Sequence, residues 1–137
     1  MTDPAAIAPG GLVAALGVTD YEHPTEELAG ARLPVSPTIL QPAGIVHGGA
    51  YCALAETVAS WATYDLVAPE QLAIGQSNNT TFLRSVTAGS IHAQARIRHR
   101  SRRTFVWDVE MSDDEGRPCA LAIVTVVARP SRTSPAD

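Results

Sequence analysis

The stretch Q-P-A-G-I-V-H-G-G-A-Y-C-A-L-A-E-T-V-A-S, residues 41–60, decides how the rest of this chain is read. Ala50 to Val67 contains neither proline nor glycine, it is rich in alanine and leucine, and it follows Gly48-Gly49. That pattern predicts a helix that starts at the glycine pair and ends before Pro69. Glycines at a helix start leave backbone N–H groups bare and allow a ligand atom to approach closely. The bare donors and the positive end of the helix dipole suit a carbonyl oxygen on its way to becoming negative. Glu56 is a charge in an otherwise apolar run, and Cys52, Glu56 and Ser60 share one helix face at i, i+4 and i+8.

Outward from the helix the texture changes to strands. Upstream, residues 16–35 read as an extended stretch broken near His23-Pro24, followed by a proline-punctuated loop from Pro37 to Pro42. Downstream, residues 72–83 read as a strand. Ile91, Ala93, Ala95 and Ile97 alternate with His92, Gln94, Arg96 and Arg98, and Phe105, Trp107, Val109 and Met111 alternate with polar or smaller partners. Asp113-Asp114-Glu115-Gly116 is a turn between two strands. Residues 119–128 are apolar at nearly every position, the pattern of a central strand covered on both faces. One long helix with five or six mostly antiparallel strands is an α+β fold with the helix on one sheet face.

Length and charge narrow the function classes. The 137 residues are about one domain's worth, so residues 1–137 are expected to form a single domain, with flexible Pro/Ala/Ser-rich ends at 1–10 and 130–137. The net charge is −4, and every cationic side chain is an arginine. Eight acids face Arg32 alone in residues 1–70, whereas residues 71–137 hold nine arginines against six acids. Five arginines fall between Arg96 and Arg103. A net-acidic chain with one local basic patch argues against general nucleic-acid binding and suits a small anionic ligand. No apolar run reaches the ~20 residues of a membrane helix. The N-terminus carries Asp3 where a signal peptide would carry basic residues, and two cysteines, Cys52 and Cys119, make no disulfide framework. The chain reads as cytoplasmic, without a membrane partner. His92 and His99 share no ligand spacing, so no metal is expected, and Gly75-Gln76-Ser77-Asn78-Asn79 is not a nucleophile elbow.

Helix geometry constrains any joint action of the two marked positions. Glu56 is eight residues beyond Gly48, about 12 Å along the axis at ~1.5 Å per residue. A glutamate cannot span that distance to a carbonyl held at its own helix start. If both groups serve one reaction they come from different chains, which predicts a homodimer with two interfacial sites and antiparallel helices.

At G-I-V-H-G-G-A-Y-C-A-L-A-E (44–56), I-G-Q-S-N-N-T-T-F-L-R (74–84), F-V-W-D-V (105–109) and D-D-E-G-R-P-C-A (113–120) the chain resembles the hotdog-fold acyl-CoA thioesterases that use a helix-borne carboxylate. The likeness is greatest to the glutamate-type 4-hydroxybenzoyl-CoA enzymes of the phenylacetate-type superfamily and spans roughly residues 40–130. The resemblance implies a five- to six-stranded antiparallel sheet wrapped around one long central helix. It further implies hydrolysis of an aromatic acyl-CoA to free acid and CoA, with no cofactor and a tetramer built from dimers.

Residue by residue, it makes Glu56 the nucleophile or general base and the Gly48 N–H the group that polarises the thioester carbonyl. Gln41 and His47 would hold the thioester end and the leaving sulfur, and Ser60 the water. Gly49, Arg84, Arg102 and Arg103 would contact CoA, arginine being suited to phosphate by its bidentate fork. The 1,4-dihydroxy-2-naphthoyl-CoA thioesterases share the H-G-G…L-A-E core and carry serine at the position of Ser60. They, and a broad phenylacetyl-CoA-type activity, are the alternative enzymes. An acyl-CoA-binding hotdog protein is the non-enzymatic alternative, but it would have no use for a carboxylate beside a thioester. A hotdog dehydratase would need a differently spaced Asp and His.

Overall fold

Small side chains on both partners let the long helix lie close against a sheet. Ala50, Leu54, Ala55, Val58, Ala59 and Ala62 of the helix are buried against Ala29, Ala31, Ala93, Ala95, Ala120, Ala122 and Val124 from the strands. The computed structural model describes residues 11–131. A short helix α1 (Leu12–Leu16) precedes β1 (Thr19–Thr25) and β2 (Leu28–Pro34). A 3-10 turn (Pro37–Ile39) leads to the 19-residue helix α2 (Gly48–Leu66). Then follow β3 (Gln71–Phe82), β4 (Ser90–Arg100), β5 (Thr104–Ser112) and β6 (Pro118–Pro130). The six strands form one antiparallel sheet in the order β1-β2-β4-β5-β6-β3, and α2 packs against β2 to β6 and reaches edge strand β1 through Asp65.

The α+β class and the long helix are as the sequence pattern predicts, and the strand number is six. Three local readings need correction. The break expected at His23-Pro24 falls instead after Thr25, with Pro24 inside β1. β1 is an edge strand, where a residue without an N–H can leave the ladder intact. Residues 119–128, expected to be covered on both faces, sit centrally in the sheet but alternate, with Leu121 (45%) and Ile123 (42%) exposed on the outer face. Of the ends expected to be flexible, Pro130 is the last residue of β6 and the Ser131 N–H donates to the Glu70 carbonyl. Residues 1–10 and 132–137 lie outside the described residues.

Two polar networks anchor α2 to the sheet. The Trp107 indole, fully buried, donates to Thr63 Oγ1 (3.0 Å), which donates in turn to the Ala59 carbonyl (2.8 Å). Near the helix end, Asp65 Oδ2 receives the Tyr21 hydroxyl and His23 Nδ1, each at 2.8 Å. Burial first, and then the Asp65 carboxylate, push the Tyr21 hydroxyl above its ordinary pKa of 10. Asp65 thereby ties edge strand β1 to the end of α2. Among the described residues no helix is long and apolar enough to cross a membrane.

Candidate active site

The loop before α2 is shaped by its own backbone. Leu40 and Val46 bridge, the Gln41 N–H donates to the Ile45 carbonyl, and Gly44, at φ +78°, closes the turn back onto the Gln41 carbonyl. The Gln41 side chain is held as well, its Oε1 accepting the Ala43 N–H at 2.8 Å. That leaves the NH₂ end of the amide as a donor.

His47 is the N-cap of α2, and its Nδ1 accepts the Gly49 N–H at 2.7 Å. The ring can fold back because residue 49 lacks a side chain: a Cβ there would lie 2.9 Å from Nδ1. With Nδ1 accepting, the proton of the neutral ring sits on Nε2, which faces away as a donor. Of the glycine pair, only Gly48 keeps an N–H that finds no acceptor among the described residues. The expectation of several bare N–H groups therefore narrows to one. Gly49 supports His47, and its N–H is not available to a ligand.

A cavity of about 320 Å³ opens at this end, lined by Gln41, Gly48, Tyr51, Phe82, Arg84 and apolar neighbours. Gln41, Gly48 and Arg84, far apart or unrelated in pattern, are thus brought together within one chain. Burial pushes the Tyr51 hydroxyl up to about 12, helped by the Cys119 thiol. Tyr51 is a neutral wall of the cavity.

Glu56 is not in that cavity. It is exposed midway along α2, on the stripe that it shares with half-buried Cys52 and Ser60, and its side chain lies over Gly75 of β3. Three residues further along β3, Asn78 Nδ2 donates to the Cys52 carbonyl at 2.9 Å, and Thr80 Oγ1 fixes the Asn78 amide at 2.7 Å. β3 therefore meets the helix beneath Glu56 and again one turn before it. Neither Gly75 nor Asn78 was legible as a site residue in the sequence; their only signal is a glycine and an amide inside a segment that reads as a strand.

Arg102 and Arg103 lie at the opposite end of the helix. With Arg100, Leu66, Val67 and Phe105 they line a separate cavity of about 650 Å³. Nineteen helical residues, about 28 Å at ~1.5 Å each, separate the two ends. One chain accordingly does not bring Arg84 together with Arg102 and Arg103. His92 is paired with Asp114, Nε2 to Oδ1 at 2.7 Å.

Residues 43–120, more than half of the chain, match the family described as the Thioesterase superfamily. The chain belongs to this superfamily. It is a thioester hydrolase, and its six strands and central helix are the hotdog fold. It is 32% identical over 120 residues to the 1,4-dihydroxy-2-naphthoyl-CoA hydrolase of Escherichia coli K12, covering 88% of each chain. It superposes with a TM-score of 0.86 on a crystallised glutamine-to-alanine variant of a thioesterase from Pseudomonas aeruginosa, at 33% identity, covering 93% of this chain and 91% of that one. Two crystal structures of one Staphylococcus aureus thioesterase each give a TM-score of 0.83, at 28% and 29% identity. They cover 87% and 88% of this chain, and 98% and 99% of those. Those two carry, respectively, a glutamine and a glutamate replaced by alanine, fifteen positions apart, the same separation as Gln41 and Glu56.

Proposed function

We propose that the chain hydrolyses an aromatic acyl-CoA, of the 4-hydroxybenzoyl-CoA kind, to the free acid and CoA. Glu56 acts on the thioester carbon, either as nucleophile or as the base that takes a proton from water. The Gly48 N–H receives the carbonyl oxygen as it becomes negative; one such donor is worth ~10²–10³ in rate. In the covalent route a carboxylate oxygen of Glu56 bonds to the acyl carbon and the C–S bond breaks to release CoA thiolate. Water then cleaves the mixed anhydride. In the direct route the proton passes from water to Glu56 as hydroxide adds, and the same C–S bond breaks. Gln41 and the Nε2–H of His47 supply donors beside the thioester, and Ser60, one turn beyond Glu56, is placed to hold the water. Arg84 serves the phosphates of CoA. The chemistry needs no cofactor, since the thioester is already activated.

The observation that carries this reading is the separation of the two groups: an open N–H at the start of α2 and a carboxylate about 12 Å further along it. A homodimer supplies what one chain lacks, placing Glu56 of one protomer opposite the helix start of the other. It also supplies a reason for Arg102 and Arg103, at the far end of their own helix, to reach the nucleotide end of a CoA bound by the partner. β3 supports the pairing: it is one of the two outer strands of the sheet, with an edge open to a second copy, and it carries the glycine beneath Glu56. Exposed Leu121 and Ile123 on the outer sheet face suit a further association into tetramers. The protein would act in the cytoplasm.

A second reading, 1,4-dihydroxy-2-naphthoyl-CoA hydrolysis, is favoured by the E. coli relative and by serine at position 60. Thiol release measured over aryl- and alkyl-CoA thioesters, with Glu56→Gln alongside, tests both. Glu56→Gln should lose about 10²–10⁴-fold in kcat. Full activity in that variant sinks the mechanism, and turnover of fatty acyl-CoAs alone sinks the aromatic assignment.

A further inference from the structure

Phe82 closes β3, and its ring is packed onto the backbone of Gly48. A Cβ built on Gly48 would lie 2.7 Å from Cζ and 3.0 and 3.2 Å from the two Cε atoms. On its other side stands Tyr51, with ring centroids 5.8 Å apart and planes at 45°. Tyr51 is 3% exposed and fixed on the same helix, so it cannot turn away. The two contacts hold the Phe82 ring in place at the wall of the 320 Å³ cavity while 54% of the residue remains exposed. Leu83 beside it is also exposed, and Ile45 and Val46 line the same cavity. An anchored aromatic ring left open beside the one unclaimed N–H of the helix start is a surface shaped for something apolar and flat.

We infer that Phe82 determines acyl-group specificity, offering its ring to an aryl group attached directly to the thioester carbonyl. This rests on the reading of the Gly48 N–H as the carbonyl's donor. A ring one bond from a carbonyl held there is within reach of the ~4.5–7 Å centroid range of an aromatic pair with a side chain that touches the same glycine. A saturated ring of similar size fills the same space but lacks the quadrupole that orients it.

The test compares kcat/KM for benzoyl-CoA with that for cyclohexanecarbonyl-CoA in the wild-type protein, Phe82→Leu and Phe82→Tyr. Phe82→Leu should lower the benzoyl-to-cyclohexanecarbonyl ratio about two- to tenfold, while Phe82→Tyr keeps it. Both substrates are measured on one preparation, so partial unfolding or a changed oligomeric state scales them alike and leaves the ratio untouched. An unchanged ratio in Phe82→Leu, or an equal fall in Phe82→Tyr, overturns the inference. Glu56→Gln run in parallel separates the two readings. If it stays active, the proposed chemistry fails while the ratio still reports on Phe82. If it is inactive and the ratio does not move, only the inference about Phe82 falls.

Discussion

Gly75 lies directly beneath Glu56: a Cβ on residue 75 would sit 2.9 Å from the carboxyl carbon of Glu56 and 3.1 Å from Oε2. The carboxylate rests on bare strand backbone, and its position along the helix is set from below by β3.

Gly75→Ala therefore pushes the Glu56 carboxylate off its seat without touching the helix start. On the proposed chemistry, kcat should fall about 10²-fold, the scale of a misplacement of about 1 Å. KM should stay near the wild-type value. Steady-state kinetics check this, with circular dichroism to confirm the fold. A loss confined to KM would show that residue 75 meets the substrate instead.

His47 has two separable duties. As N-cap it accepts the Gly49 N–H, and His47→Ala should cost about 1 kcal/mol of stability. His47→Asn restores a capping oxygen and should recover most of that in urea unfolding. If the imidazole Nε2–H also contacts the thioester, the asparagine variant will remain slow although stable. Recovery of stability and turnover together would reduce His47 to a cap.

Arg84 shares a cavity with Gly48, whereas Arg103 lines another at the far end of the helix. Arg84→Ala should raise KM more than it lowers kcat, as expected for a residue that holds the substrate away from the reacting bond. Arg103→Ala should do the same only where a second protomer brings that end of its helix to the site. Sedimentation beside the kinetics, across a dilution that dissociates the oligomer, tells the two apart.

Asp113 governs a pH dependence of folding. It is buried at the β5–β6 turn, where its carboxylate accepts the Glu115 N–H, the Arg117 N–H and Arg117 Nε. Burial pushes its pKa up, but the backbone and side-chain bonds and the charge of Arg117, with the Glu115 N–H, together outweigh it and hold the carboxyl below the ordinary 3.8. A group lowered on folding stabilises the native state fully above its unfolded pKa and loses that contribution as pH falls through the folded value. The stability difference between wild type and Asp113→Asn should be constant near neutrality and shrink below about pH 4. A difference that persists unchanged into acid would assign it to shape alone.

The helix and most of the strands were legible because their signals are local. Nothing between Ala50 and Val67 breaks a helix, and the alternation from Ile91 to Met111 has the two-residue period of a sheet with one covered face. Asp113 to Gly116 announces its turn through residue type, and the structure seats Gly116 at φ +78° accordingly. The N-terminal strand boundaries were less legible. A proline at residue 24 looks like a break unless one knows that β1 is an edge, and edges are a property of strand order.

The candidate site divides along the same line. By itself the sequence determined that an open helix start and a carboxylate occupy one helix eight residues apart, because helical rise is a local constant. Which glycine N–H stays free turns on a local contact, the His47 ring folding back onto Gly49 two residues on, and the rest was left to the tertiary structure. It alone seated Glu56 over Gly75, set Phe82 against Gly48, and parted Arg84 from Arg102 and Arg103. Each of these is a meeting of residues brought together by strand pairing and packing across the sheet, and no periodicity along the chain encodes which strand lies beside which helix turn.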